Sequence, residues 1–295
     1  MKVSFTAGGK FHIFNLAQQM LKRDSLERLI TSYPKFEVVK SGIPKEKIRS
    51  VLRKEILQRV WTKLPSFIHN FYNPQYLISD IFDRKASRLL GGKEDIVVGL
   101  SSMFLHTLRK AKENGSITIV EHGSSHVEYQ NQILREEYEA SGINPVLTHP
   151  KITEQELVEY EEADYIAIPS LYVKKTFLAK GIPEEKLIHN SYGVNLSKFR
   201  QIPKEDNIFR VVFGGGLCLR KGTHYLLQAF SELNIPNSEL LLIGAISPEI
   251  VPFLEKYQGR YKHLPYQPID ELHKFYSQGS EIGRASCRER VYVLV

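Results

Sequence analysis

The feature that most constrains this chain is a local pattern that it states twice: a short apolar strand, a glycine turn, and an amphipathic helix. The first copy runs from residues 2–7 through Gly8-Gly9 to a segment in which Ile13, Ala17, Met20 and Leu21 share one helical face. The second runs from residues 209–213 through Gly214, Gly215 and Gly216 to a helix over 223–233 with Leu226, Leu227, Phe230 and Leu233 inward. Glycine lets the backbone turn sharply between strand and helix. A helix that then returns along its strand delivers the chain to a parallel neighbour. The pattern therefore predicts an α/β fold with two doubly wound Rossmann-like domains, and ligands of such domains sit at the carboxyl ends of the strands.

Between the two copies the alternation continues. Strands are predicted over 29–32, 95–101, 116–121, 165–169 and 187–190, and helices over 103–114, 127–140 and 152–162. Gly115 and Gly142 stop two of these helices, Ser170 caps a further helix with Val173, Phe177 and Leu178 inward, and Gly181 ends it. Residues 45–91 read as helices with weak boundaries, rich in lysine and arginine and interleaved with Trp61, Leu64, Phe67, Ile68 and Phe71. Residues 201–207 are polar, contain Pro203 and have no periodicity, which marks a linker. After the second glycine turn come a strand at 240–243, a helix at 248–257, a strand at 261–264 and a helix at 268–278. The domains are thus 1–200, 207–280 and a tail, 281–295, with the second domain incomplete.

The tail has its own signature. Residues 281–291, EIGRASCRERV, back-translate into a run that resembles a common short-read sequencing adapter. The reading preferred here is a non-native tail; the alternative is a basic loop followed by a small strand at 291–295. Without the tail's three arginines and two glutamates the formal charge falls from +7 to +6, so the basic excess remains. Three strands before the tail make an unfinished parallel sheet, which agrees with truncation.

An excess of positive charge suits an anionic partner: a nucleic acid, a nucleotide or an acidic membrane surface. No nucleic-acid module is present and the charge is dispersed, so nucleic acid is not an expected partner. The longest apolar runs, at 96–100 and 240–243, are strand-sized and far short of a membrane span. No secretory leader follows Met1, and the two cysteines, Cys218 and Cys287, imply no disulfide framework. The expected location is cytoplasmic, with the basic aromatic stretch 45–71 either touching the inner face of a membrane or, as preferred here, packing as an ordinary amphipathic helix.

The richest chemical stretch is FRVVFGGGLCLRKGTHYLLQAF, residues 209–230. Its glycines allow close backbone approach, the helix start attracts an anion, and Arg220 and Lys221 set two cations beside it. This is a predicted diphosphate receptor formed by Gly215, Gly216, Arg220 and Lys221. In the first domain, Gly8 and Gly9 either approach a phosphate in the same way or make a plain turn. The run EHGSSH, residues 121–126, follows a buried strand at its carboxyl end. His122 and His126 there are candidates to hydrogen-bond a reacting sugar, or are ordinary loop histidines. A metal pair ranks low because no third ligand is evident. Helix residues Glu136 and Glu137 read as a solvated face.

These segments resemble, in order, the family 4 glycosyltransferases of GT-B fold. Gly214-Gly215-Gly216-Leu217 with Lys221-Gly222 resembles the family's G-R-L-like turn and K-G at a helix start; Tyr192-Gly193-Val194-Asn195 with Phe199 resembles its Y/N-G-V-D-x-x-x-F segment; Ala163-Asp164 with Ser170 resembles the stretch before it. Gly216 stands where many members carry an arginine, and Asn195 where aspartate is common. The resemblance implies two domains facing a cleft and a retaining transfer of a sugar from a nucleotide-sugar to a glycan or lipid-linked acceptor in cell-surface polysaccharide or glycoconjugate synthesis. Lys221 would contact the donor diphosphate, and no cofactor or metal would be required. The family's glutamate segment would lie beyond Ser280, so this chain is expected to be inactive. A nucleotide-sugar 2-epimerase of the same fold, or a non-catalytic anion-binding module, are the alternatives.

Overall fold

The computed structural model describes residues 1–9, 11–65, 73–193, 196 and 199–283. The expectations for Phe67, Ile68, Phe71, Val194, Asn195, Cys287 and the strand at 291–295 fall outside these residues. The chain divides into two compact units, Met1–Tyr129 with Thr148–Tyr192, and Gln130–Leu147 with Gly193–Val295.

The first unit is a seven-stranded sheet, parallel throughout, in the order β3-β2-β1-β4-β5-β6-β7. Its strands are β1 (Val3–Ala7), β2 (Leu26–Thr31), β3 (Ile48–Ser50), β4 (Ile96–Leu100), β5 (Ile117–Glu121), β6 (Tyr165–Ile168) and β7 (Leu187–His189). The helices are α1 (Ile13–Leu21), α2 (Lys35–Val39), α3 (Arg53–Thr62), α4 (Gln75–Ser87), α5 (Leu105–Glu113), α7 (Pro150–Glu162) and α8 (Leu171–Leu178), while α6 (Val127–Ala140) starts in this unit and runs on into the second. All five residues of β1 are buried, as expected of a central parallel strand covered on both faces. Sequential order reverses between β1 and β4, so the carboxyl ends of these two strands form the switch point of the sheet.

Two local devices fix this region. Phe104 is fully buried against Gly99, where an added Cβ would lie 1.9 Å from its ring. Burying such a ring contributes about 1.5–3 kcal/mol, and only glycine on β4 leaves room for it. Ser170 caps α8 as expected, accepting from the Val173 amide at 3.2 Å.

The second unit is a four-stranded parallel sheet in the order β10-β9-β8-β11. It comprises β8 (Phe209–Gly214), β9 (Ser238–Ile243), β10 (Lys262–Leu264) and β11 (Glu281–Gly283), with α9 (Thr223–Leu233), α10 (Val251–Lys256) and α11 (Ile269–Ser277). The first three residues of the tail form β11 and pair with Val211, Val212 and Phe213. Linker residues dock on this unit: Asp206 pairs with Arg210 at 2.8 Å and the Ile202 amide donates to Ser277 Oγ at 3.0 Å.

Five details depart from the sequence reading, the first being Leu178, read as facing inward but 39% exposed at the end of α8. The stretch 45–91 holds a three-residue edge strand, β3, in addition to helices. Leu233 is 64% exposed, because Asn234 at φ +42° ends α9 in the left-handed region and turns the last residue outward. The segment Gln130–Leu147, read within the first domain, groups with the second unit, where Leu134 and Tyr138 pack with Phe213, Leu217 and Leu226. On that segment Glu137 is no solvated residue: its carboxylate lies 2.8 Å from His224 Nε2, and only Glu136 is exposed.

Candidate functional site

In the second unit the glycine turn is a point of backbone contact. Gly215 has φ +153° and Gly244, at the end of β9, has φ +146°. A Cβ on Gly244 would stand 1.9 Å from the Gly215 carbonyl oxygen, so the two strand ends touch main chain to main chain. The strands then run on together, with the Leu217 amide donating to the Ala245 carbonyl at 2.8 Å and Ser247 donating back to Leu217 at 2.9 Å. Gly216 is different: it is exposed, and nothing lies within 4 Å of an added Cβ. A side chain would fit there.

A 3-10 turn, Leu219–Lys221, leads to Gly222 at φ +67°, the N-cap of α9. Buried Leu219 anchors the turn, and the Thr223 hydroxyl accepts from the Cys218 amide at 3.2 Å. Arg220 is left exposed while Lys221 is only 8% exposed. Gly215, Gly216, Arg220 and Lys221 therefore stand on one short stretch between the end of β8 and the start of an eleven-residue helix. Two cations and the positive end of a helix dipole are gathered there, an arrangement that favours negative charge. Cys218 lies in the same stretch. Burial pushes its thiol up and the two cations only partly offset this, so it is no nucleophile in waiting.

In the first unit Gly8 and Gly9 follow β1. The Gly8 amide donates to Met103 Sδ at 3.1 Å, and a Cβ there would meet that sulfur at 2.5 Å and the Lys54 stem at 3.0 Å. Beside this turn is a pair that sequence reasoning missed. His12 Nε2 lies 2.7 Å from Glu121 Oε1, and the carboxylate is almost wholly buried at the end of β5. The His12 ring also lies against Tyr192, with centroids 4.2 Å apart. Residues 12 and 121 meet only through the β1-β4-β5 order, so no local signal could join them.

His122 and His126 are both buried, at 3% and 2% exposure. Each ring lies near Tyr160 and Phe177, with centroids 5.1 to 5.3 Å apart. His122 Nε2 is 3.1 Å from the Ser125 carbonyl, and His126 Nδ1 accepts from the Glu128 amide at 3.3 Å. Burial pushes His126 down to about 4, so it is neutral at neutral pH.

Under these histidines α7 supplies two buried carboxyls. Glu159 accepts from the Ser102 and Phe104 amides at 2.8 and 2.9 Å, and Glu156 accepts from Tyr160 Oη at 3.0 Å. Burial pushes them up to about 8 and about 7. The raised Glu156 value stabilises the fold fully below its ordinary value of 4.5, and that contribution is lost as pH rises through about 7. Glu156→Gln keeps an acceptor for Tyr160 and removes the titration. Wild type and variant should melt alike at pH 4.5 to 5 apart from a constant offset, while at pH 8.5 the variant should gain on wild type by up to about 3 kcal/mol. A difference between their melting temperatures that does not change with pH would show that Glu156 does not carry this burden.

Helix α3, within the basic segment 45–71, buries none of its residues. Ile56 and Val60 are 58% and 55% exposed, which departs from the preferred reading of an ordinary packed helix. A groove of about 470 Å³ runs between α3 and α4, lined by Ile56, Leu57 and Ile81 with Arg53, Arg84, Lys85 and Arg88. Among the described residues no helix is long and apolar enough to cross a membrane, and no group of three or more His, Cys, Asp or Glu is placed to hold a metal ion.

No protein-family model matches the chain, and no curated protein matches it. Solved structures do. The chain is similar to sucrose-phosphate synthase from Thermosynechococcus elongatus, at 14% identity and TM-score 0.65 over 100% of this chain and 77% of that one. It is similar to Anabaena HepE in complex with UDP, at 13% identity and TM-score 0.61 over 97% and 74%. It is also similar to a putative UDP-N-acetylglucosamine 2-epimerase from Listeria monocytogenes, at 11% identity and TM-score 0.53 over 95% and 73%. At such identities the likeness establishes the fold: an α/β architecture of parallel sheets matching GT-B glycosyltransferases.

Proposed function

We propose that this GT-B chain derives from a glycosyltransferase that moves a sugar from a nucleotide-sugar to an acceptor hydroxyl with retention, as its resemblance to family 4 implies. The observation that carries the reading is the loop between β8 and α9, where the glycine turn, Arg220, Lys221 and the helix start converge. Transfer breaks the bond from the anomeric carbon to the diphosphate, forms one from that carbon to the acceptor oxygen, and releases the acceptor's proton. Lys221, Arg220 and the Gly216 amide would stabilise the charge that develops on the leaving diphosphate, while the Gly215 amide holds the turn by donating to the Ile243 carbonyl at 2.9 Å. Gly8 and Gly9 offer close backbone approach on the first unit. The EHGSSH loop would face the sugar through His122 or His126. Because both rings are buried, we add His12, held by Glu121, as an imidazole that could meet a hydroxyl.

UDP, the nucleotide bound by HepE, is the first ligand to titrate. Calorimetry should find a single site whose affinity falls with salt; a chain that binds no nucleoside diphosphate would sink the reading. The epimerase reading is favoured by one fold neighbour, and product analysis separates it, since an epimerase releases an epimerised sugar without any acceptor.

Three finer readings belong with this one. The protein works in the cytoplasm, in cell-surface polysaccharide or glycoconjugate synthesis. The groove between α3 and α4 meets anionic lipid headgroups with its cations and acyl chains with its isoleucines, a reading that sedimentation with anionic vesicles at rising salt tests. The residues from Glu281 onward are foreign to the protein, a reading that rests on their sequence alone. Re-sequencing the source DNA across the Ser280 codon decides that point.

A further inference from the structure

The switch point of the first sheet opens into a second cavity, of about 420 Å³, of whose lining only Gly8 enters the transfer reading above. Gly8 and Met103, at the ends of β1 and β4, line its inner end, and α3 and α4 form walls. Lys54, Gln58 and Trp61 follow one another at helical spacing, so one face of α3 presents all three to this cavity. Phe11, 49% exposed, with Asn73, Pro74, Gln75, Ile78 and Ser79, completes the lining. Two aromatic rings among three side-chain amides suit a saccharide, whose C–H faces lie on rings and whose hydroxyls need both donors and acceptors. The volume is that of an ordinary small-ligand site.

The charge in the cavity narrows the class. Among the described residues no carboxylate lines it, and the one cation among them, Lys54, is poorly compensated. The Lys54 side chain is only 11% exposed, yet its ammonium is 3.7 Å from Glu55 and 3.4 Å from Gln58 Oε1. Glu55 itself is taken up by Ser32, whose hydroxyl donates to it at 2.6 Å. Exposed pairs of this protein close further, such as Lys40–Glu37 at 2.7 Å and Lys174–Glu184 at 2.6 Å. Burial pushes the Lys54 pKa down, and Glu55 only partly restores it. A largely buried ammonium with one long ion pair is costly unless a further anion arrives.

We propose that this cavity binds a saccharide bearing a carboxylate or a phosphate, with the anionic group at Lys54 and a ring face on Trp61. The inference rests on the sugar-transfer reading, for which this ligand would be the acceptor. Trp61 is the only tryptophan of the chain, so its fluorescence reports on this cavity without any need for turnover. The probes are methyl α-D-glucuronoside, glucose 6-phosphate, methyl α-D-glucoside and UDP, each titrated against the full chain.

At least one anionic sugar should change Trp61 emission saturably and bind about 10-fold or more tightly than the neutral glycoside, a difference near 1.4 kcal/mol. Comparing glucuronoside with sugar phosphate tells which anion is preferred. Lys54→Met keeps the aliphatic stem over Gly8, and should bring the anionic and neutral sugars close to parity without lowering the melting temperature. Silence of Trp61 to every sugar, equal binding of the neutral glycoside, or competition between UDP and the anionic sugar at Trp61 would each overturn the proposal. UDP binding at the second unit, read by calorimetry, stands or falls independently of these results.

Discussion

Lys221→Met should weaken UDP binding about 100-fold while leaving the melting temperature nearly unchanged. Methionine keeps most of the packing of a lysine stem that is 8% exposed, so the loss isolates the ammonium. A charge-assisted contact to a diphosphate contributes about 1.5–3 kcal/mol, and truncating one partner of a largely desolvated charge pair costs about 2–5 kcal/mol. These ranges overlap near 100-fold. Arg220→Ala should cost much less, about 10-fold or below, because the exposed guanidinium works in high dielectric. Calorimetry at low and high salt checks both, and the Arg220 contribution should shrink more as salt rises. Equal affinity of Lys221→Met and wild type would mean that the β8–α9 loop is not the diphosphate receptor.

Gly244→Ala should destabilise the second unit by about 3 kcal/mol or more and abolish UDP binding with it. The substitution meets two penalties at once. At φ +146° an alanine is strained, and its Cβ would stand 1.9 Å from the Gly215 carbonyl, a main-chain atom that cannot rotate away. Relief requires β8 and β9 to separate at the point where the β8–α9 loop begins. Gly216→Ala, one residue beyond Gly215, supplies the contrast. Nothing lies within 4 Å of its Cβ, so stability should stay within about 0.5 kcal/mol. Urea unfolding followed by hydrogen exchange at β8 and β9 amides distinguishes the two variants. A Gly244→Ala protein as protected as wild type would contradict the tight turn.

Much of the fold could be read from sequence because its elements carry strong local signals. The helices Val127–Ala140 and Thr223–Leu233 have the predicted bounds, the first fixed by apolar periodicity and a glycine stop, the second by its glycine N-cap. β3 was invisible because its three residues, Ile48-Arg49-Ser50, carry one apolar side chain. Leu233 fits the inward stripe on spacing alone, and is turned out by the left-handed Asn234.

The candidate site divides in the same way. Gly215, Gly216, Arg220 and Lys221 are neighbours in sequence, so pattern reasoning could assemble them. The His12–Glu121 pair and the Lys54 cavity are products of strand order and helix pairing. Their residues look ordinary until the sheet brings them together. Glu137 misled for a related reason: its helix is polar on paper, and its partner His224 lies 87 positions away.

The placement of Gln130–Leu147 has a consequence for how such a protein could be recombined. The second unit is not a contiguous cassette, since part of its interior, Leu134 and Tyr138, is encoded upstream of the linker. A crossover at the linker would join the distal half to another protein's helix, and the graft would inherit a gap where two large side chains belong. Exchange of the second unit by shuffling therefore requires the helix and the distal half to travel together, so the two would be inherited as one block despite lying on opposite sides of the seam.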